Sequence, residues 1–113
     1  MKYFVVRANF STRFREAHVK AMEMEKASGG KTSYTSFLPD DMNKMRGPHR
    51  DYNLALKQDG KLLCAGPLTD YTWVLLIYIV DSEEEAEALI EGDPFFKCGF
   101  FTDYEIKEWF YRI

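Results

Sequence analysis

Histidine and cysteine are scarce in this sequence, two of each in 113 residues, and positive charge is not in excess. Cys64 and Cys98 lie far apart and form no C-x-x-C pair, so a disulfide framework and a zinc knuckle are both excluded; free, buried thiols are the expectation. With only His18 and His49, a metal site would need carboxylates for most of its ligands, and nothing motivates one. The formal charge of -3 and the low isoelectric point argue against a phosphate-backbone partner, so no nucleic acid is expected. The longest apolar run, "WVLLIYIV", falls far short of the roughly 20 residues of a membrane span. The apolar stretch before Arg7 is too short for a signal peptide, and the expectation is a cytoplasmic protein without membrane attachment. Glycine-rich phosphate loops are missing too: "SGGKTS" ends like a P-loop, but its first glycine would fall on Glu25, and "EGDPFFKCG" lacks the G-x-G-x-x-G spacing.

What is present is enough apolar and aromatic residue, 46% and 16%, to bury one core, and residues 1–113 read as one domain. Residues 2–9, "KYFVVRAN", are β-branched and aromatic and read as a strand. In the next stretch Phe14, Ala17, Ala21 and Met24 recur at helical spacing until Gly29-Gly30, which places His18 on a solvated face among Arg15, Glu16 and Lys20. Residues 31–45 are polar, contain Pro39 and read as a loop with at most a turn of helix near its end. Pro48 suits a first helical position and Gly60 a stop, so a helix runs from Pro48 through Gln58 with Tyr52, Ala55 and Leu56 inward. "KLLCAGPL" and Tyr71 or Thr72 to Val80 are strands; Ser82-x-x-Glu85 is a capping box opening a helix; Asp93-Pro94 breaks it; residues 100–111 form the last strand.

The order is β-(α)-α-β-β-α-β, an α+β, ferredoxin-like split βαβ pattern. That architecture puts its helices on one face of an antiparallel sheet. In the third strand, however, Trp73, Leu75, Ile77 and Ile79 alternate with Val74, Leu76, Tyr78 and Val80, so both faces need cover. A homodimer that packs two sheets face to face, a dimeric α+β barrel, provides it; the other solution folds the extra N-terminal helix over the open face.

His49 shares a helix side with Tyr52 and Leu56 and should point at the sheet. From a first helical turn the positive end of the dipole disfavours imidazolium, leaving a ring able to accept a proton. That makes His49 a candidate general base; an ordinary half-buried histidine is the competing reading. A carboxylate on the other ring nitrogen would fix its tautomer, and among Asp51, Asp59, Asp70, Asp93 and Asp103 the best placed is Asp93, at the turn into the last strand. Asp-Pro is also a common helix stop. Cys98 has no histidine near it in sequence and reads as core filling.

Arg46-x-x-His49, "LALKQDGKLLCAGPL" and "EEAEALIEGDPFFKCGFFTDYEIKEW" together resemble the YciI-like (YCII-related) family. Its pattern runs R-x-x-H, a helix, G-(K/R)-L-(L)-x-A-G-P, a strand, an EEA-rich helix, D-P-(F/Y), and a strand ending E-I-x-x-W. The resemblance covers residues 46–109 well and residues 1–9 loosely; residues at about 10–45 look like an inserted helix and loop. It implies a dimeric α+β barrel with a His-Asp pair in a cleft, carried here by His49 and Asp93, and with Arg46 placed to hold an anionic substrate or order the Asp. Most members that look like this have no established activity; one branch eliminates HCl from a chlorinated hydroxyquinol.

Two functions are therefore carried forward. One is a small cofactor-independent lyase or isomerase acting on a cyclic or aromatic molecule, with His49 and Asp93 catalytic and Arg46, Tyr52, Gly66 and Pro67 at the substrate. The other is a non-catalytic dimeric module that binds a small metabolite or a partner protein through the N-terminal segment.

Overall fold

The computed structural model describes residues 1–113. The chain runs β1 (Lys2–Phe10), α1 (Thr12–Ala27), a 3-10 turn (Tyr34–Phe37), α2 (Asp40–Gln58), β2 (Leu62–Pro67), β3 (Trp73–Val80), α3 (Glu83–Glu91), α4 (Pro94–Lys97) and β4 (Phe101–Trp109). The strands form one antiparallel sheet in the order β2-β3-β1-β4, the split βαβ arrangement expected from the element order.

Period-two patterning decides what each face does. Phe4, Val6, Ala8 and Phe10 of β1 and Val74, Leu76, Tyr78 and Val80 of β3 are buried on the helix side, with Val6 opposite Leu76. The other face carries Tyr3 and Val5 beside Leu75, Ile77 and Ile79. The N-terminal helix does not cover it. Phe14 of α1 stacks on Phe10 (4.7 Å, 7°) and meets Phe95 and Phe100, so α1 extends the helical layer instead.

α1 corrects the expected side. Its buried residues are Phe14, His18 and Ala21, spaced i, i+4, i+7, and Met24 is exposed; His18 is therefore core-facing and not solvated. Ser11 caps the helix, its hydroxyl accepting from the Phe14 N–H. The Arg13 guanidinium grips Asp41 with two bonds of 2.8 Å, and the Glu25 carboxylate accepts from the Tyr34 N–H at 2.7 Å, which ties α1 to the segment that follows.

α2 is the larger correction, because the helix expected from Pro48 begins at Asp40 and passes through Gly47-Pro48. Proline usually stops a helix by removing an N–H and by crowding the residue before it. Here the residue before it is glycine, which has no Cβ to crowd, and Lys44, whose carbonyl loses its donor, is exposed, so water can meet that carbonyl. Met42 and Leu56 are buried at either end, and His49 lies seven residues from each, on the same stripe. The inward direction of His49 thus comes from the middle of a long helix, and no helix N-terminus acts on it.

The remaining elements follow their signals. Ser82 caps α3 by accepting from the Glu85 N–H. The Asp93-Pro94 break is itself a cap and first position: Asp93 accepts from the Phe95 N–H at 2.9 Å to start α4. In the β2–β3 connection Tyr71 has φ +56°, the left-handed region that a residue with a Cβ enters at a cost of about 1–2 kcal/mol.

Candidate functional site

Between α2 and the β2–β3 edge of the sheet lies a cavity of about 610 Å³, closed at one end by α1 and the 3-10 turn. Its volume is in the range of small-molecule sites. The electrostatics come from a second stripe of α2, one step around from the core stripe: Asn43, Arg46, Arg50, Asn53 and Lys57 all line the cavity. No Asp or Glu lines it. Its lining is apolar and cationic, the combination that attracts a planar anion or an electron-rich ring.

His49 stands on this wall with its side chain 25% exposed, and its Nδ1 donates to Asp93 Oδ1 at 2.7 Å. Asp93 is fully buried and accepts from three groups: His49, the Asn53 side-chain amide at 2.9 Å and the Phe95 N–H at 2.9 Å. Asn53 also donates to the His49 carbonyl at 3.0 Å, one helical turn back. The imidazole face stacks on Phe95, 3.8 Å away and 3° from parallel, while Phe101 meets it edge-on. With Nδ1 occupied by a carboxylate and one face blocked, Nε2 is the ring nitrogen left for chemistry.

Two polar atoms beside this network have no partner: Asn53 Oδ1 and the Tyr78 hydroxyl. Burial, and then the nearby Asp93 charge, hold the Tyr78 phenol far above the usual range.

At the α1 end of the same cavity sits His18, only 3% exposed. Its Nδ1 donates to the Phe14 carbonyl at 2.8 Å, and its ring packs against both Phe14 (4.0 Å) and Tyr71 (4.6 Å). Burial lowers its pKa, a backbone hydrogen bond partly opposes this, and Arg46 lowers it further. The Arg46 guanidinium lies 5.7 Å from the centre of the Tyr34 ring and enters no ion pair with a carboxylate.

The structure brings together most of the expected site. His49, Arg46, Gly66 and Pro67 line one cavity, with Asp93 directly behind His49. Arg46 does not order Asp93, whose bonds go to His49, Asn53 and Phe95. Tyr52 is not at the cavity: its hydroxyl donates to the Leu89 carbonyl at 2.6 Å and pins α2 to α3. Both cysteines are exposed, contrary to the expectation of buried thiols, and Cys64 lines the cavity from the edge strand. Residue-by-residue reading missed Asn53 and the whole α1 end, although Asn53 at i+4 from His49 and His18 at i+4 from Phe14 were signals in the spacing.

The family model for the YCII-related domain matches residues 30–110. The chain belongs to the YCII-related family. No curated protein matches it by sequence. Among solved structures it is similar to 5-chloro-2-hydroxyhydroquinone dehydrochlorinase from Burkholderia phenoliruptrix AC1100, determined in complex with 2,5-dihydroxybenzoquinone. The TM-score is 0.58 and the identity 20%, over 96% of this chain and 93% of that one. At that identity the YCII-related chain shares the fold with the dehydrochlorinase, and the likeness goes no further.

Proposed function

We propose that this YCII-related protein is a small enzyme of the lyase or isomerase type, working by proton transfer on a cyclic or aromatic anion without a cofactor. The observation that carries the reading is the His49–Asp93 pair, with Nδ1 held by a buried carboxylate beside an apolar cavity that has cations and no acids in its lining. His49 Nε2 takes a proton from the substrate, and Asp93 holds the ring and stabilises the cation that forms. The electron pair left behind expels a leaving group or shifts a double bond. Arg46 meets the negative oxygen of that intermediate, with Gly66 contributing backbone polarity; Pro67 has no N–H and serves only as a wall. The name of the structural neighbour supports a halogenated hydroxyhydroquinone as a first compound to assay.

A thermal-shift screen of phenols, quinones, lactones and cyclic carboxylates on wild type and His49→Gln tests the site, since a ligand of the native state raises Tm by linkage. Compounds that stabilise wild type are then assayed for turnover, including chloride release. His49→Ala should abolish turnover while the fold survives; an active His49→Ala protein would sink the assignment.

The same reading includes a homodimer through the open sheet face, supported by the apolar row Leu75, Ile77 and Ile79 beside Val5. Leu75→Lys should convert it to monomer in sedimentation, and an unchanged mass for that variant would rule this interface out.

A further inference from the structure

We propose that the α1 end of the cavity is a second recognition subsite, in which His18 Nε2 accepts a hydrogen bond from a ligand hydroxyl while Arg46 meets an anionic oxygen of the same ligand. The inference rests on the cavity being the ligand site, and it specifies the ligand class: a hydroxylated aromatic carboxylate or phenolate.

The geometry at His18 selects an acceptor. Because Nδ1 donates to the Phe14 carbonyl, a neutral ring carries its lone pair on Nε2, and no hydrogen bond within the chain uses that atom. The ring packs against Phe14 at 22° and against Tyr71 at 29°, and its Nδ1 is tied to the Phe14 carbonyl, so the direction of Nε2 is set by packing and by that bond. A side chain needed only to fill this aromatic slot would be phenylalanine, which carries no polar atom to desolvate. Burial and the neighbouring Arg46 charge disfavour the imidazolium, consistent with an acceptor at neutral pH.

Two observations independent of His18 point the same way. Tyr71, which forms one side of the slot, keeps a left-handed backbone with φ +56° where glycine would be unstrained; such conformations persist where the surroundings demand the side chain. Arg46 lacks a carboxylate partner and lies against the Tyr34 ring, whose backbone N–H is anchored by Glu25. Arg46 and His49 are one turn apart on α2, so one ring-sized ligand can meet the reactive histidine and this subsite together. A row of contacting rings, His49, Phe95, Phe14, His18 and Tyr71, stacked except for the edge-on Phe95–Phe14 contact, joins the two ends.

Isothermal titration calorimetry with 3,4-dihydroxybenzoate and 3,4-dimethoxybenzoate tests it, because methylation removes the hydrogen-bond donors and keeps the ring and the charge. Wild type should prefer the dihydroxy compound by about tenfold, the worth of one well-made hydrogen bond. His18→Phe, which preserves the stacked slot, should bind both compounds equally; His18→Gln, whose carbonyl can accept, should recover part of the preference. Arg46→Gln should weaken both compounds alike. A wild type that binds neither compound, or that shows no preference, overturns the proposal, as does a His18→Phe protein that keeps the preference. His49→Gln separates the two readings. A preference that vanishes in His49→Gln and survives in His18→Phe moves the hydroxyl to the catalytic end and refutes this subsite while leaving the proposed reaction standing. Preference retained in His49→Gln and lost in His18→Phe supports the subsite whatever His49 does.

Discussion

Replacing Asp93 by Asn removes a charge from the centre of the site and leaves the shape of the side chain almost unchanged. Asp93 is fully buried and accepts from His49 at 2.7 Å, Asn53 at 2.9 Å and the Phe95 N–H at 2.9 Å. Asparagine caps a helix about as well as aspartate, so the bond to Phe95 survives. The carbonyl oxygen that keeps the Phe95 bond is the one His49 also uses, now uncharged and a weaker acceptor, and the new NH2 group takes the place of Oδ2 and faces the Asn53 amide, a donor. Loss of the charge-assisted bonds should lower the unfolding free energy by about 2–3 kcal/mol. Asp93→Ala forfeits the cap as well and should cost about 1 kcal/mol more. Urea unfolding measures both, provided the slope stays constant so that the midpoint reports stability. Nitrogen-15 correlation spectra of His49 give the second readout: the proton sits on Nδ1 in wild type, and in Asp93→Asn the tautomers mix. An Asp93→Asn protein within about 0.5 kcal/mol of wild type, with its proton still on Nδ1, would show that Asp93 neither stabilises this site nor sets the tautomer.

Tyr78→Phe removes a buried hydroxyl that has no partner and should be neutral or stabilising by up to about 1–2 kcal/mol in the same unfolding assay; a loss of stability would mean that the hydroxyl bonds to a neighbour. Gly92→Ala would bring a Cβ to 2.6 Å from the Tyr52 hydroxyl and 3.2 Å from the Ala88 carbonyl, and should destabilise by about 1–3 kcal/mol; adding Tyr52→Phe should relieve part of that cost, and strict additivity of the two changes would refute the clash. His18 has a folded pKa below its ordinary 6.5, so the unfolded chain binds more protons near that pH. Its contribution to stability is therefore present above about pH 6.5 and is lost as pH falls below it. His18→Phe should flatten that acid limb, and an unchanged limb would mean that His18 is not the group responsible.

The elements whose signals are local were legible. The capping box at Ser82, the stop at Gly60 and the alternation of residues 73–80 each depend on neighbours within a turn or a strand, and each appears where its spacing placed it. The R-x-x-H and D-P-F motifs also led to His49 and Asp93, which lie 2.7 Å apart. The start of α2 was misread because Pro48 is a helix-starting residue by its own chemistry. Whether a helix also runs upstream of it depends on Met42 finding a buried place and on Gly47 relieving the crowding, and the first of these is a tertiary fact. His18 was misread for a similar reason: its polar neighbours in sequence suggest water, whereas its neighbours in space are Phe14 and Tyr71.

By itself, then, the sequence determined the alternation of strands and helices, the split βαβ order and the inward direction of His49, because periodicity and capping act over a few residues. Only the tertiary structure decided that Phe14 and His18 of α1, Tyr34 of the 3-10 turn, Arg46 of α2 and Tyr71 of the hairpin share one cavity wall. Those segments are far apart along the chain, and nothing but the packing of the helical layer on the sheet brings them together.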